Sequence, residues 1–572
     1  MHWRTHYRRL FALQALLIIA LLSCADGEDA ATVRVTVHAD ARVGAYTPIW
    51  SYFGADEPNY VYGPHGRKLM DELGELGRTA NAPVYFRAHN LLTTGDGGGS
   101  LKWGSTNAYT ERADGTAVYD WTITDRIFDT MRDERVRPIV ELGFMPEALS
   151  THATPYRHNF PKGDVFTGWS YPPKDYVKWS ALVQAYAAHL KARYGAAVDG
   201  WLWEVWNEPD IAYWHGTPEE YDRLYDVSAA AVRKVLPHAR IGGPESTGVY
   251  PVKDGPAENG VSKSEAFLRQ FLEHCAHGRN AATGGTGAPL DFISYHPKGS
   301  PKFVDGHVVM DVGRQLAAVE RGMEVVASFP EWRDTPIVLG ESDPEGCAAC
   351  QSAQNGYRNG PLYGVSVAEA TARTWELARE HGVHVRGAVT WAFTFEDQPY
   401  FAGFRELATN GVGKAVLNVF RMMAMLGGDW VRTESTGTMP VKQIVTGSVV
   451  DRPDVDAIAT RRPHEVDVLL WNYHDADVPA AAAKIALEVR GLPQARMTED
   501  AYLMDTSHSN AYAAWKQMGG PQKPSPEQQR ELVKAGKLER VVAARPVAVK
   551  DGAAHLQMML ARQGVTLVRL RW

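Results

Sequence analysis

Short apolar runs alternate with amphipathic stretches over most of the chain, from about Tyr46 to Leu426. Each apolar run has the length of a buried strand, whereas the stretches between them repeat their apolar residues with the period of a helix. Strands and helices that alternate in this way, with eight strands in all, are typical of a (β/α)8 TIM barrel, an α/β fold. The predicted strands read IWSYFG, VYFRAH, RPIVELGF, GWLWEVWN, ARIGGP, DFISYH, PIVLGE and RGAVTWAF.

One predicted helix shows the pattern clearly. Trp179, Leu182, Val183, Tyr186 and Leu190 recur at offsets 0, 3, 4, 7 and 11, which places them on one helical face. Nucleotide-binding α/β folds alternate in the same way, but no GxGxxG or GxxxxGK motif follows a predicted strand. We therefore expect residues 46–426 to form a barrel.

After about Gly427 the period changes to two. The segments EVDVLLWNYH, KIALEVRGL and VTLVRLRW alternate apolar and polar residues, which is the pattern of half-buried strands. Thr32–Ala39 alternates in the same way near the N-terminus. Residues 32–40 and 427–572 are therefore predicted to form an accessory, β-sandwich-like domain.

The first residues have the three parts of a targeting signal: basic MHWRTHYRR, apolar LFALQALLIIALL and small or polar SCADGEDA. The apolar run is shorter than the about 20 residues of an ordinary membrane helix. Residues 1–25 are predicted to be a signal peptide cut after Ala25, or a lipoprotein signal in which LLSC resembles a lipobox and Cys24 carries the lipid. Leu22 is not the small residue usual in such a lipobox. Either interpretation predicts an exported protein: periplasmic, anchored to the outer membrane, or secreted.

Composition narrows the function. The 572 residues carry a formal net charge of −7 without long runs of one sign, which argues against nucleic acid as a partner because phosphate binding needs clustered Lys and Arg. The 17 Trp and 24 Tyr suit a surface that stacks on sugar rings, although a large aromatic core would use them equally. Among the few cysteines, Cys347 and Cys350 in CAAC favour a structural disulfide over free thiols or a redox pair, and no second CxxC or His cluster completes a metal site.

Polar residues at the C-terminal ends of the predicted strands are the candidates for chemistry, because barrel enzymes place it there. Glu208 and Glu341 each end an apolar strand beside a turn former. Hydrolysis of a glycosidic bond needs one acid that protonates the leaving oxygen and one ionised carboxylate that attacks the anomeric carbon. Asn207, directly before Glu208, is placed to bind a sugar 2-hydroxyl. Considered alone, either glutamate could instead form a salt bridge or cap a helix. The other strand-end residues are His89, Asn90, Glu141, His296, Glu396 and Asp397.

The motifs WNEP and GES, with the segments around them, resemble glycoside hydrolase family 39, a family of retaining (β/α)8 glycosidases. YDWTITDRIFDTMRDERVRPIVELGFMPEALS and HSNAYAAWKQMGGPQKPSPEQQRELVKAGKLE resemble the β-xylosidases of that family, and the resemblance covers most of the mature chain. It implies that Glu208 is the general acid/base and Glu341 the nucleophile. It also implies that Asn207 holds the 2-hydroxyl, that His89 binds the sugar and that His296 lies near the nucleophile, whereas either histidine alone would more often be structural.

Three departures from the β-xylosidase pattern resemble the α-L-iduronidase branch of the family. Lys298 in HPKG stands where the xylosidases have tyrosine, GESDPEG carries the ExDP of iduronidase, and Arg405 in FAGFRELATNG replaces glycine. Lys298 and Arg405 would then bind a uronic acid carboxylate, because two cations are costly to desolvate beside a neutral sugar. Asp397 in FEDQPYF matches a further sugar-binding aspartate of iduronidase. The alternative is that both cations pair with acids such as Glu396 or Glu406 and do not touch substrate.

We therefore expect a retaining exo-glycosidase that removes a terminal sugar from an oligosaccharide, β-xylosidase-like, with carboxyl groups about 5–5.5 Å apart. An α-L-iduronidase-like uronosidase, or an arabinosidase, is the alternative. A non-enzymatic alternative is an inactive sugar-binding protein. The presence of both carboxylates argues against it. Double displacement by two carboxylates requires no metal and no organic cofactor.

Overall fold

The structure, a computed structural model, describes residues 32–158, 165–250, 257–258, 261–494 and 496–572. It contains the predicted closed barrel, in which all neighbouring strands are parallel and the last strand pairs with the first. The prediction of an α/β TIM barrel is therefore confirmed. In chain order, the barrel strands are β1 (Tyr52–Ala55), β2 (Tyr85–Ala88), β3 (Arg137–Leu142), β4 (Leu202–Val205), β5 (Arg240–Thr247), β6 (Phe292–His296), β7 (Ile337–Leu339) and β8 (Val385–Thr390).

A long helix follows each barrel strand and packs on the outside of the barrel. All of the apolar residues predicted for the face of the third helix are buried. Asp175 caps that helix, because its carboxylate accepts hydrogen bonds from two amides of the first turn. The helices are α1 (Pro64–Ala80), α2 (Thr122–Asp133), α3 (Tyr176–Tyr194), α4 (Pro218–Val235), α5 (Lys263–His277), α6 (Val312–Ala327), α7 (Pro361–His381) and α8 (Ala415–Met425).

Small elements occupy the loops between the barrel strands and helices. Short two-stranded pairs form there, as do 3-10 helices of one or two turns. The pairs are Tyr109–Glu111 with Ala117–Tyr119, Tyr156–His158 with Val165–Gly168, Ala257–Glu258 with Val261–Ser262, Lys302–Val304 with His307–Val309, and Ala408–Thr409 with Val412–Gly413; the 3-10 helices include Pro58–Tyr60, Glu147–Leu149, Gly195–Gly200 and Ala353–Asn359.

The rest of the described chain is dominated by one ten-stranded sheet, mostly antiparallel. The N-terminal strand Val33–Ala45 lies inside it, antiparallel to Asp429–Ser435 and parallel to Ala483–Arg490. Across the sheet, the strands run in the order Glu539–Val547, Met497–Met504, Gly564–Arg571, Glu465–Tyr473, Asp454–Arg462, Asp429–Ser435, Val33–Ala45, Ala483–Arg490, Ala553–Leu560 and Val549–Lys550.

The period-two pattern divides the side chains of this sheet between two cores. On strand Glu465–Tyr473, Trp471 packs in the large core that includes the barrel helices, whereas Leu470 packs in a separate core within the sheet region. The Trp471 indole also donates to Glu369 on α7 at 2.6 Å. Alternate residues of one strand therefore fix the sheet to the outside of the barrel.

The segment between two of these strands carries two helices, Ala511–Gln517 and Pro526–Ala535, and reaches the loop after β8. The ring of Trp515 packs against Phe401, with centroids 5.3 Å apart. The accessory region thus supports a loop at the C-terminal end of the barrel.

The predicted signal peptide, residues 1–25 with Cys24, lies outside the described residues, and export remains a prediction. Within the described part of the chain, every helix is too short or too polar to cross a membrane.

Candidate active site

Glu208 leaves the barrel just after β4, where the chain turns sharply. Trp206 and Glu208 have φ of 72° and 44°, a conformation that residues other than glycine hold only when their contacts maintain it. The Trp206 indole donates to the Tyr213 carbonyl at 2.8 Å, and the Glu208 amide donates to the Glu245 carbonyl at 2.8 Å. This turn places Glu208 in the wall of a cavity.

Glu341 follows β7, and its carboxylate is buried among cations. Lys298 Nζ lies 2.6 Å from Oε2, Arg87 Nη1 lies 3.2 Å from Oε1, and His89 Nε2 lies 3.3 Å from Oε1. Burial alone would raise the pKa of Glu341, but Lys298, His296 and His89 lower this pKa well below its ordinary value. Glu341 is therefore ionised at neutral pH, as a carboxylate nucleophile must be.

One ring nitrogen of His296 faces both glutamates. His296 Nδ1 is 3.0 Å from Glu208 Oε1 and 3.7 Å from Glu341 Oε1. One oxygen of each carboxylate and one ring nitrogen of His296 all lie within 4.8 Å of one another. The nearest oxygens of the two carboxylates are therefore closer together than the about 6.5–9.5 Å typical of inverting glycosidases.

The cavity has a volume of about 780 Å³ and combines charged and aromatic walls. Its size is in the range of small-molecule sites. The loops after several barrel strands contribute to it, so that residues far apart in the chain share one space. Its charged lining residues are Lys102, Glu208, His296, Lys298 and Glu345, and its aromatic ones are Tyr156, Tyr213 and Tyr250.

The tryptophans around WNEP are core residues. Trp203 and Trp206 are completely buried, and Trp201 and Trp214 are nearly so. Trp206 packs edge-on against Trp214, with ring centroids 5.0 Å apart. Tyrosines, rather than these tryptophans, supply the aromatic surface of the cavity, so a large aromatic core accounts for this part of the composition.

Arg87 on β2 is a central residue that the sequence analysis missed. It is completely buried, and Nη2 lies 3.2 Å from Asn207 Oδ1. Burial alone would lower the pKa of Arg87, but four carboxylates raise it above its ordinary value, so the guanidinium stays charged. The carboxylates are those of Glu204, Glu245, Glu141 and Glu341, at 2.5, 3.4, 3.1 and 3.2 Å.

The ion pair of Lys102 and Asp56, which the sequence did not reveal either, reaches Glu341 through His89. Lys102 Nζ lies 3.0 Å from Asp56 Oδ2, and Asp56 Oδ1 lies 3.2 Å from His89 Nδ1. Burial would lower the pKa of His89, but Glu141, Asp56 and Glu341 raise it to about 9. His89 is thus a cation at neutral pH, and it is buried beside Glu341.

Lys298 and Arg405, the two cations that the resemblance to iduronidase placed at the sugar, occupy different places. Lys298 lines the cavity, where its ammonium binds Glu341 and, at 2.8 Å, Asp343 Oδ2. Arg405 is completely buried and lies 2.6 Å from Glu345 Oε2 and 3.5 Å from Asp343 Oδ2. The structure therefore brings Lys298 to the cavity, while Arg405 supports the loop after β7 from behind.

The acids proposed as alternative partners have other roles. Glu406 lies 3.1 Å from Lys414 Nζ, and Glu396 accepts hydrogen bonds from the amides of His65 and Gly66 at the start of α1. Asp397 is exposed in the loop after β8, and the structure does not bring it together with the two glutamates.

Cys347 and Cys350 form the expected disulfide, and both line the cavity. Two groups of described side chains are close enough to share a cation: Glu208, His296 and Glu341, and a half-buried set of Glu320, Glu324 and His381. In the first group the Lys298 ammonium already holds Glu341, and in the second Arg321 Nη1 lies 2.6 Å from Glu324. Both groups therefore already have organic cations as partners.

Known proteins resemble this chain over nearly its whole length. The sequence pattern of Glycosyl hydrolases family 39 matches residues 35–552. A beta-xylosidase of Caldicellulosiruptor saccharolyticus is 25% identical over 537 residues, covering 89% of this chain and 92% of that protein. The alpha-L-iduronidase of Mus musculus is 26% identical over 440 residues, covering 73% of this chain and 63% of that protein. The crystal structure of a monomeric beta-xylosidase from Caulobacter crescentus CB15 superimposes with a TM-score of 0.72 at 19% identity, covering 94% and 99% of the two chains.

Proposed function

The chain belongs to family 39 of the glycosyl hydrolases, and we propose that it is a retaining exo-glycosidase of the β-xylosidase type. Membership makes it a glycoside hydrolase, with an oligosaccharide as the substrate class. The observation that carries the finer proposal is the pair of carboxylates, with one oxygen of Glu208 and one of Glu341 within 4.8 Å of each other. A separation this short favours double displacement, because inverting enzymes hold their carboxyl groups about 6.5–9.5 Å apart to admit a water molecule.

In the first step, Glu341 attacks the anomeric carbon while Glu208 protonates the leaving oxygen. The cations around Glu341 keep it ionised, so it needs no separate base. Asn207 lies directly before Glu208, and its Oδ1 accepts from Arg87. This bond orients the amide so that its nitrogen is available to the sugar 2-hydroxyl.

In the second step, Glu208 takes a proton from a water molecule, which attacks the glycosyl-enzyme and releases the sugar with its configuration retained. Glu208 suits this exchange because its side chain is 15% exposed, against 6% for Glu341. Lys298 and Arg87 stabilise the Glu341 carboxylate as it leaves the sugar.

For the glycone we propose xylose. The match with this chain includes 92% of the length of the beta-xylosidase relative, but only 63% of the length of the iduronidase. Arg405 also lies behind the cavity wall, in contact with Glu345 and Asp343, so one half of the predicted carboxylate clamp already has protein partners.

A uronosidase is the second candidate, and Lys298 favours it. Its ammonium lines the cavity beside the nucleophile, where a glycone carboxylate would meet it. An ammonium in this position is also compatible with a neutral sugar, because Glu341 and Asp343 already neutralise it.

The two candidates are separated by comparing hydrolysis of an aryl β-xyloside and an aryl α-L-iduronide. We expect kcat/KM to be higher for the xyloside, and Arg405→Lys, which keeps the buried charge, to change the ratio of the two values little. Hydrolysis confined to the iduronide, with kcat/KM for the iduronide lost in Arg405→Lys, would instead identify a uronosidase.

A further inference from the structure

Glu245 on β5 is a buried carboxylate to which the mechanism above gives no task. Its side chain is completely buried, and its φ of 55° is one that a glutamate adopts only when its surroundings hold it there. The Glu245 amide donates to the Ser294 hydroxyl at 3.1 Å, and Oε2 lies 3.4 Å from Arg87 Nη2. The barrel thus fixes both the backbone and the side chain of Glu245.

Glu245 reaches Glu208 by two routes. Its backbone carbonyl accepts from the Glu208 amide at 2.8 Å. Its Oε2 lies 2.9 Å from His296 Nε2, and the other ring nitrogen of His296 lies 3.0 Å from Glu208 Oε1. Both the main chain and the carboxyl group of Glu208 are therefore tied to one residue of the neighbouring strand.

We propose that Glu245 is a positioning residue for the acid/base carboxyl group of Glu208, an inference that rests on the proposed function. The buried Glu245 carboxylate holds the His296 ring so that Nδ1 donates to Oε1 of Glu208. Oε2 of Glu208 is then the oxygen that carries the proton to the leaving group. A small displacement of this carboxyl group is costly, because proton transfer requires heavy-atom distances of about 2.6–3.2 Å.

The charges around His296 support this arrangement. Burial alone would lower the pKa of His296, but Glu341, Glu208 and Glu245 raise it above its ordinary value, against the repulsion of Arg87. Burial would raise the pKa of Glu245, yet Arg87 and His296 lower it to about 2. Because Glu245 is ionised, Nε2 of His296 donates to it, and the protonated ring has a second donor at Nδ1, which faces Oε1 of Glu208. Glu204 also faces Glu245, and burial raises the pKa of Glu204 well above its ordinary value.

The glycine before the nucleophile gives independent support. A Cβ at Gly340 would collide with the Glu245 carboxylate and approach His296 Nε2 to 2.8 Å. Because Gly340 precedes Glu341 directly, the contact between Glu245 and His296 restricts the residue beside the nucleophile to glycine. The same contact therefore explains the glycine of the GES motif.

Neutralising Arg87 is the competing role for Glu245. Glu341, which is held ionised 3.2 Å from the guanidinium, shares that task with Glu141, whose pKa burial raises to about 7. Glu141 is also completely buried, but its carboxylate lies beside His89, at 3.5 Å, on the nucleophile side. Glu141→Gln is therefore a matched control for the loss of one buried charge near Arg87 when the assays are run at about pH 8.5, above the pKa of about 7 to which burial raises Glu141.

The test compares Glu245→Gln with Glu141→Gln on two aryl glycosides of the sugar that the wild type hydrolyses. One substrate carries 2,4-dinitrophenol, which leaves without a proton, and the other carries phenol, which needs one. We expect Glu245→Gln to lower kcat/KM about 10- to 100-fold for the phenyl glycoside, within the contribution of general acid catalysis, and less than about 3-fold for the dinitrophenyl glycoside. Glu141→Gln should lower both values by the same factor.

Equal losses on the two substrates in Glu245→Gln, or no loss on either, would overturn the inference. Should Glu245→Gln fail to fold in a thermal unfolding scan, Glu245→Asp keeps the charge against Arg87 and withdraws the carboxylate from His296. It should then show a smaller loss with the same dependence on the leaving group, and a loss independent of the leaving group would contradict the inference. A wild type that hydrolyses no aryl glycoside would overturn the proposed function itself, and the role of Glu245 with it.

Discussion

The two sides of the active site place the same functional group in opposite surroundings. Glu341 is nearly buried, and both of its oxygens contact cations, with Lys298 on one and Arg87 and His89 on the other. Glu208 is more exposed, and its closest charged partner is the single imidazole of His296 on Oε1. In the proposed mechanism, these surroundings, rather than the residue type, distinguish the nucleophile Glu341 from the proton donor Glu208.

The difference also shows how the barrel supports each side. The cations at Glu341 come from β2, from the residue directly after it and from the loop after β6, so three side chains from two parts of the barrel neutralise one carboxylate. Glu208 is held by the neighbouring strand β5, through the Glu245 carbonyl, and by His296 at the end of β6. A nucleophile that must stay ionised needs fixed charges, whereas an acid that loses and regains a proton needs a fixed position.

The largest effect is expected from removing the nucleophile. Glu341→Ala should lower kcat on the order of 10⁵-fold, as when the nucleophile of a catalytic unit is lost, and added azide should restore turnover by filling the space. The azide product should have the inverted configuration, because the anion attacks in place of Glu341. Product analysis by NMR checks this, and a retained glycosyl azide would contradict the assignment.

Removing the proton donor should have a smaller and more selective effect. Glu208→Ala is expected to lower kcat/KM about 10²- to 10⁴-fold for a phenyl glycoside and much less for a dinitrophenyl glycoside, whose leaving group needs no acid. Azide should here give a glycosyl azide of retained configuration. Steady-state kinetics on both substrates is the measurement, and losses of the same size on both would remove the distinction between the two sides.

Weakening the charge on the nucleophile side should move the pH profile. Lys298→Met keeps the length of the side chain but removes the ammonium that lowers the pKa of Glu341. That pKa should rise, so the acid limb of kcat/KM should shift to higher pH and activity should fall about 10-fold at mildly acidic pH.

Lys102→Met is the matched control, because Lys102 also lines the cavity but binds Asp56 instead of Glu341. It should move the acid limb less than Lys298→Met does. A larger shift in the control would mean that the contact between Lys298 and Glu341 does not set the charge of the nucleophile.

The smallest effect concerns stability at alkaline pH. The pKa of His89 is raised to about 9, above the about 6.5 of an unfolded chain. A raised pKa adds stability that is complete below the unfolded value and is lost as pH rises through the folded one. The melting temperature should therefore fall by a few degrees between about pH 7 and pH 9.5.

His89→Gln should have a lower melting temperature than the wild type at about pH 6. Its melting temperature should then fall less than that of the wild type as the pH rises to about 9.5. Scanning calorimetry at several pH values checks this. A wild type and a variant with parallel curves would mean that the charge of His89 does not stabilise the fold.

The barrel was predictable because each of its strands interrupts the helical period in the sequence. GWLWEVWN and PIVLGE read as strands from their apolar runs alone, and the rule that barrel chemistry sits at strand ends then selects Glu208 and Glu341. The structure brings both together with His296, Asn207, His89 and Lys298.

The residues that escaped prediction were hidden for identifiable reasons. Arg87 sits within the apolar run VYFRAH, where a single charge gives no sign that four carboxylates from other strands surround it; its position mid-strand was the available signal. Asp56 and Lys102 meet only because two loops converge. Arg405 is buried behind the cavity wall, a depth that sequence cannot give.

The most direct test of the assignment is to trap the covalent intermediate with a 2-deoxy-2-fluoro aryl glycoside of the preferred sugar. Fluorine slows the second step more than the first when a good leaving group is present, so the glycosyl-enzyme accumulates. Mass spectrometry of the digested protein should find one fluorosugar per chain, on the peptide that contains Glu341. A label on Glu208 or Glu345, or turnover without any label and with inverted product, would contradict the account.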